Sequence, residues 1–503
     1  MHVALRFQSR IRTVAAATFQ CNKVLFSTLY SEEPAVPSSL VSHYFALLHS
    51  SNHPTHLGHL HARLLRTTLY DNVILSSKLV LMYSRLGKLN PHSLSVFFHM
   101  PHRNVYSWNI VIGEFSRSNM PEKSIELFLR MWKEAQARPD DFSLPLVLRA
   151  CAGCGSMGLG VAVHGLCVKL GLVVSIFVAS ALVFMYVTLG RMSHARKVFD
   201  EMSQRDAVLW TSMLAGYAQT GESMSGLELL REMINSAVEL DWVVMVSLLT
   251  MCSQLGWLKQ GKTAHAWCLK NCLGMELSLG NAIVDMYVKC SNLTYAQTMF
   301  DTMPAKDVLS WSSLILGYGL SGNVSVALQL FDHMLRRRFK PNEVTFLGVL
   351  SACAHGGLVE QGRRCFDMMR DQGVVPELKH YANMVDCLGR AGRLEEAERF
   401  VEEMPMEPDV AVLGAVLAGC RVHNNVDVGE RFAKKLMRLE PGRAGYYVLL
   451  ANMYATAGRF EDAEMVRSFM KDVNLVKAPG CSLIEPNKHS FPFEVAESGS
   501  ALP

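Results

Sequence analysis

The sequence predicts an all-α protein, a right-handed superhelical solenoid of helix-turn-helix repeats, on three observations. Residue types recur at a fixed interval. Trp108 returns as Trp210 and Trp311, Cys151 as Cys252 and Cys353, His164 as His265, Lys169 as Lys270, and Tyr186 as Tyr287, most of them 101 residues apart. Within each repeat, apolar residues fall at the spacing of one helix face. Trp108, Val111, Ile112 and Phe115 do so, as do Trp210, Met213, Leu214 and Tyr217, and Trp311, Leu314, Ile315 and Tyr318. No segment alternates long enough to suggest a sheet. The 101-residue unit divides into Trp-, Cys- and Tyr-containing repeats of about 31 to 36 residues.

From the amino terminus, residues 1–31 carry Arg6, Arg10, Arg12 and Lys23, no acid before Glu32, and much Ala, Ser and Thr. They read as an organelle transit peptide, mitochondrial by its arginines, with the chloroplast as the alternative. A degenerate repeat is expected over 38–72. Ten repeats are expected over 73–409, starting near 73, 105, 141, 176, 207, 242, 277, 308, 343 and 378. In each, a second helix follows the first, as Ala327, Leu330, Phe331 and Met334 illustrate. Gly221 and Gly322 break the chain between the two helices, and Pro139 and Pro341 close a repeat. Two helical pairs without the alternating pattern span 410–477, and a short tail spans 478–503.

Residues 170–190 carry no charge, a length that reaches across a bilayer. The same phase one unit later, 271–291, carries Glu276, Asp285 and Lys289. Two copies of one element share one environment, so the stretch reads as a turn and a buried helix, and no membrane span is expected.

Half the residues are hydrophobic and only 19% are charged, against roughly 25% in an average domain. That suits an elongated stack with much internal surface. The net charge of +4 resides in residues 1–31; without them 45 bases face 45 acids. Bulk positive charge therefore cannot be the main grip on a nucleic acid. The 13 cysteines are scattered, several in repeat register, and read as buried reduced thiols. The one Cys-x-x-Cys, Cys151 to Cys154, has no second half, so neither metal nor cofactor is expected. His164 and His265 lie in register on second helices, where packing accounts for them.

Several segments resemble plant pentatricopeptide-repeat proteins of the P-L-S subfamily: VLSWSSLILGYGLSG at 308–322, LGNAIVDMYVKC at 279–290, VTFLGVLSACAHGGLVEQG at 344–362 and HYANMVDCLGRAGRLEEAERFVEEMP at 380–405. GYYVLLANMYATAGRFEDAEMVR at 445–467 and PGCSLIE at 479–485 resemble that family's carboxy-terminal E region. The resemblance covers roughly 38–490 and points to the E class, without the deaminase domain called DYW.

The residue after each buried first-helix Trp sits about 100° further round, at the edge of the apolar stripe. Side chains there line one groove at one-repeat intervals. The positions are Ser77, Asn109, Ser180, Thr211, Asn281 and Ser312, all small and polar. The last residue of each repeat is equally restricted: Asn104, Asp140, Asp206, Asp241, Asp307 and Asn342. Asp or Asn before a helix is an ordinary N-cap, yet capping does not explain polar residues at 109 and 211. Two polar tips per repeat can read one unstacked base on its Watson–Crick edge.

The family's scheme pairs Ser or Thr with Asp for G, Asn with Asp for U, and Ser with Asn for A. The resemblance thus implies the single-stranded organelle RNA 5′-AUNGGNUANN. The Cys-containing repeats, with Pro145/Ser175, Val246/Glu276 and Leu347/Glu377, are left undecoded. One extra residue between Val105 and Asp140 makes that repeat's register the least defined. Zinc deamination needs His-x-Glu, and none of the 18 His begins one. The chain is therefore expected not to be an enzyme. It would recognise sites for organelle C-to-U RNA editing, with a DYW-type deaminase acting in trans and editing accessory factors as partners. The alternatives are an organelle RNA stability, splicing or translation factor, and a tetratricopeptide-like protein scaffold.

Overall fold

Helical hairpins build every described part of the chain. The structure is a computed structural model and describes residues 38–51, 53–86, 91–134, 138–271 and 276–475. Among them are 26 α-helices, one short 3-10 turn and no strand. The chain divides into two units, 1–239 and 240–503. The transit-peptide expectation at 1–31 and the tail at 478–503 lie outside the described residues.

The first unit holds six hairpins: Ser38–Ser50 with Pro54–Arg66, Val73–Arg85 with Pro91–His99, Val105–Arg117 with Pro121–Lys133, Ser143–Gly153 with Met157–Lys169, Ile176–Thr188 with Met192–Glu201, and Ala207–Thr220 with Ser223–Asn235. First helices of successive hairpins pack on one another. Their starts are set by side-chain caps. Asn72, Asn104 and Asp206 each accept a backbone N–H from the first turn. Trp108 and Trp210 are buried, each edge-on to a phenylalanine of the preceding second helix. Phe97 lies 4.9 Å from Trp108 and Phe199 4.8 Å from Trp210, the T-shaped geometry the ring quadrupoles favour. Arg103 and Arg205 lie over these phenylalanines, and each Nε donates to the carbonyl of the same Phe at 3.0 Å.

The charge-free stretch 170–190 is such an element. A turn at Gly171, φ +71°, leads into Ile176–Thr188, which is 13 residues long and buries Val178, Leu182 and Tyr186. No helix of the described residues is long and apolar enough to cross a membrane.

The second unit holds seven hairpins: Trp242–Leu255 with Leu258–Lys270, Leu277–Lys289 with Leu293–Thr302, Val308–Leu320 with Val324–Arg336, Glu343–Gly356 with Val359–Asp371, Leu378–Arg390 with Leu394–Glu402, Val410–Val422 with Val426–Leu439, and Ala444–Thr456 with Phe460–Asp472. Phe300 and Trp311 repeat the edge-on pair at 4.8 Å, with Lys306 over the phenylalanine. Two first-helix crossings close on glycine. A Cβ on Gly348 would lie 2.7 Å from Leu316 Cα, and one on Gly419 2.7 Å from Gly389 Cα. Backbone meets backbone there, so no side chain can yield.

His164, His265 and the unanticipated His61 hold one role. Each ring Nδ1 bonds a tyrosine hydroxyl of the next first helix: Tyr186 at 2.8 Å, Tyr287 at 3.0 Å and Tyr83 at 3.3 Å. Burial pushes the His164 and His265 pKa values down, His194 adding to the effect at His164 and Glu201 opposing it. Burial pushes the Cys151 thiol up to about 11, where it is a poor nucleophile and ligand. No group of three potential metal ligands occurs among the described residues.

Candidate nucleic-acid interface

Each repeat-closing residue singled out by the sequence accepts a backbone N–H three residues on, at or just before the start of the next first helix. Asn104 Oδ1 accepts Ser107 N–H at 2.9 Å, Asp140 Oδ1 Ser143 N–H at 2.7 Å, and Asp206 Oδ1 Leu209 N–H at 2.8 Å. Asp241, Asp307 and Asn342 do the same for Val244, Ser310 and Thr345, each at 2.9 Å. Five of the six are helix caps, and Asp140, three residues before its helix starts at Ser143, closes the preceding turn with the same bond; in every case one side-chain oxygen is consumed.

That same oxygen joins four of the pairs across neighbouring repeats. Asn109 Nδ2 donates to Asp140 Oδ1 at 3.2 Å, and Asn281 Nδ2 to Asp307 Oδ1 at 3.1 Å. Ser312 Oγ donates to Asn342 Oδ1 at 3.0 Å and Ser77 Oγ to Asn104 Oδ1 at 3.4 Å, the last of these long and weak. Asn109 and Asp140 meet despite the extra residue in their repeat. Ser180 and Asp206 are not joined; the Ser180 hydroxyl is buried without a hydrogen-bond partner. Thr211 lies in the first unit, where its hydroxyl donates to Val208 O at 3.0 Å, and Asp241 lies in the second.

A third residue completes three of the four clusters and was missed in the sequence. Ser143 Oγ bonds both Asn109 Oδ1 and Asp140 Oδ1 at 2.7 Å. Ser310 Oγ bonds Asn281 Oδ1 at 2.7 Å and Asp307 Oδ1 at 2.9 Å. Thr345 Oγ1 reaches Ser312 Oγ at 2.7 Å and Asn342 Oδ1 at 2.9 Å. Each stands three residues after its repeat-closing residue, and the Asp-x-x-Ser or Asn-x-x-Thr capping pattern was the available signal. Ser107 holds that place beside Asn104, whereas Leu209 holds it beside the unjoined Asp206.

The six first-helix positions do not form an evenly open wall. Ser77 and Ser312 are 1% exposed and Asn281 9%, while Asn109, Ser180 and Thr211 are half-buried. A serine hydroxyl is too short to clear the helix start packed over it, so only its asparagine partner reaches outward. Chemically, the clusters leave one polar atom on each cap. With Oδ1 occupied, Asp140 and Asp307 offer Oδ2, an acceptor. Asn104 and Asn342 offer Nδ2, a donor. None of these four atoms has another partner among the described residues.

Three kinds of family profile match. The PPR repeat profile matches 106–134, 177–206, 208–238, 344–374 and 380–407, the PPR repeat family profile 306–355, and the E motif profile 423–485. An Arabidopsis thaliana pentatricopeptide repeat-containing protein is 60% identical over 440 residues, 88% of this chain and 92% of its own. A second, putative and named as mitochondrial, from the same plant, is 38% identical over 84% of this chain and 68% of its own. A third, named as chloroplastic, is 38% identical over 86% of this chain, which spans about half (54%) of its length. The crystal structure of a pentatricopeptide repeat protein from maize covers 89% of this chain and 81% of its own, at 16% identity and a TM-score of 0.47.

Proposed function

This chain belongs to the pentatricopeptide-repeat proteins, and from that premise we propose that it reads single-stranded RNA, one base per repeat, through the six cap residues and their first-helix partners. The observation that carries the reading is the division of labour on Asp307 and Asp140. One carboxylate oxygen is fully engaged in the cap and the pair, and the other is left as an acceptor.

A spare acceptor selects bases whose Watson–Crick edge carries an imino N–H, which are U and G. A spare amide N–H, as at Asn104 and Asn342, selects bases with a bare ring nitrogen, A and C. The first-helix partner then separates sizes. Asn109 and Asn281 fill space that the serines leave for a purine. The chemistry thus leads back to A at Ser77/Asn104 and Ser312/Asn342, U at Asn109/Asp140 and Asn281/Asp307, and G at Ser180/Asp206 and Thr211/Asp241. The proposed ligand is 5′-AUNGGNUANN.

The finer role is site recognition for C-to-U editing of an organelle transcript, with the deaminase supplied in trans and editing accessory factors as partners. The E motif match at 423–485 supports it. Residues 1–31 act as the transit peptide, 38–72 as a degenerate repeat, 73–409 as the reading array and 410–477 as the E region. Relatives named for the mitochondrion and for the chloroplast support an organelle; the arginines at 6, 10 and 12 favour the mitochondrion.

The test is twofold. The purified chain should bind 5′-AUNGGNUANN more tightly than an oligomer with every decoded base exchanged, by at least a hundredfold. Organelle transcripts from plants lacking the protein should lose at least one C-to-U event downstream of such a sequence. Equal affinity for both oligomers rejects base reading. Retained editing with selective binding moves the role to RNA stability, splicing or translation.

A further inference from the structure

The hairpin of Ser38–Ser50 and Pro54–Arg66 packs like the Cys-containing repeats. Its His61 bonds Tyr83 across 22 residues, as His164 bonds Tyr186 and His265 bonds Tyr287. The other hairpins of that class carry no pair of polar tips suited to a base. Their first-helix positions hold Pro145, Val246 and Leu347, and their closing residues are Ser175, Glu276 and Glu377. Ser175 and Glu276 make no side-chain cap bond. In the first hairpin both columns depart from the class together. Ser42 holds the first-helix position and Asn72 closes the repeat. Ser42 is exposed, whereas Val246 at the same place is 5% exposed.

The crossing of successive first helices fixes which residues face each other. Lys78 Nζ lies 4.8 Å from the centre of the Phe45 ring and 3.0 Å from His49 Nδ1. Counted from each helix start, Gly348 stands where Lys78 stands, and it meets Ile315 and Gly319, at the places of Phe45 and His49. The two crossings share one register. Ser42 therefore stands to Asn72 as Ser312 stands to Asn342, 30 residues apart in each case. Asn72 Oδ1 accepts Ile74 N–H at 3.0 Å and Leu75 N–H at 3.1 Å. Only the amide oxygen can meet two N–H groups, so Nδ2 is the atom left over. It has no partner among the described residues. A cap alone does not make a reader: Asp409 caps too, at Val412 N–H, but the first-helix position of its repeat is Ala382. The first hairpin has both members.

We propose that this hairpin, degenerate as a repeat, reads one further nucleotide through Ser42 and Asn72, an adenine on the 5′ side of the first decoded base. The assignment rests on the RNA reading above and extends it to a repeat class that is otherwise silent. The leftover Nδ2 donates to a bare ring nitrogen, which A and C present on the Watson–Crick edge and G and U do not. The short serine leaves the space of a purine, which selects A over C. Hairpin order puts this base ahead of the one read at Ser77 and Asn104. The ligand becomes 5′-AAUNGGNUANN.

The experiment uses the full chain and four oligomers that differ only in the first base of 5′-AAUNGGNUANN, compared by fluorescence anisotropy. The oligomer beginning with A should bind about fivefold or more tightly than those beginning with G, U or C. Asn72→Asp keeps a side chain that caps the helix about as well and turns the leftover donor into an acceptor. Its preference at the first base should pass from A to G, while its preference at the second base stays that of the parent. A cap with a solely structural role would not move a base preference. Ser42→Val, which copies the residue at 246, should level the four affinities. A parent that discriminates at the decoded bases but does not favour A at the first overturns the added reader and leaves base reading intact. So does Asn72→Asp that melts with the parent and still prefers A, or Ser42→Val that keeps the parent's preference. Failure of the parent to prefer 5′-AUNGGNUANN over an oligomer with every decoded base exchanged overturns both.

Discussion

Asp307→Asn changes one atom at the centre of the proposed reader. Asp307 Oδ1 accepts Ser310 N–H at 2.9 Å, Ser310 Oγ at 2.9 Å and Asn281 Nδ2 at 3.1 Å. Asparagine keeps an oxygen for those bonds and caps a helix about as well as aspartate. Only the loss of charge near the helix amino terminus weakens the fold, by roughly 0.3–1 kcal/mol. The spare atom, however, turns from the acceptor Oδ2 into the donor Nδ2. Uracil presents an N–H at ring position three and cytosine a bare nitrogen, in rings of one size. The variant should therefore prefer C over U at the seventh nucleotide. Each mismatch at a directly read edge costs about 1–3 kcal/mol, so the U-to-C preference should invert by roughly 5- to 150-fold on each side of unity. Fluorescence anisotropy with oligomers differing only at that base, beside a melting curve for each protein, measures it. A variant that melts within a few degrees of the parent and still prefers U refutes the claim that the spare cap atom reads the base.

Other outcomes follow from the same geometry. Ser310→Ala removes the hydroxyl bonding Asn281 and Asp307; it should cost about 1–3 kcal/mol and blunt discrimination at the seventh base, read by urea unfolding and anisotropy. Gly348→Ala should destabilise by about 1–3 kcal/mol because its Cβ meets the Leu316 backbone. Gly414→Ala, with nothing within 4 Å, should stabilise by roughly 0.5–1 kcal/mol; equal melting shifts for the two would contradict the glycine-crossing account. His265 and His380 have pKa values held below 6.5, chiefly by burial. The unfolded chain therefore binds more protons below that value, and folding stability should fall as pH drops from 6.5. Replacing His265 with Phe should flatten that part of the curve, measured by urea titration at a series of pH values; an unchanged slope argues against a buried neutral imidazole.

The helices and their buried stripes were legible because a 3.6-residue period is local. Trp108, Trp210 and Trp311 announce the core by spacing alone. The positions proposed to face bases stand out because two restricted columns recur at the repeat length. The third residue of the clusters was half legible. A capping box can be read at Asp307 and Ser310, but not the bond from Ser310 to Asn281, 29 residues upstream. The burial of Ser77 and Ser312 was not legible either, since it depends on a neighbouring helix start covering a short side chain. Ser180 shows the converse: the right residue type, in register, left unjoined to Asp206 where the third helix residue is Leu209.

Sequence by itself determined an all-helical repeat chain and marked out the twelve polar positions proposed to read bases, because each follows from periodicity or from a cap next to its own helix. Tertiary structure decided which of those positions touch and which cap atom is left over. These features depend on loops about 30 residues apart meeting at one place, and no local pattern encodes the distance between them.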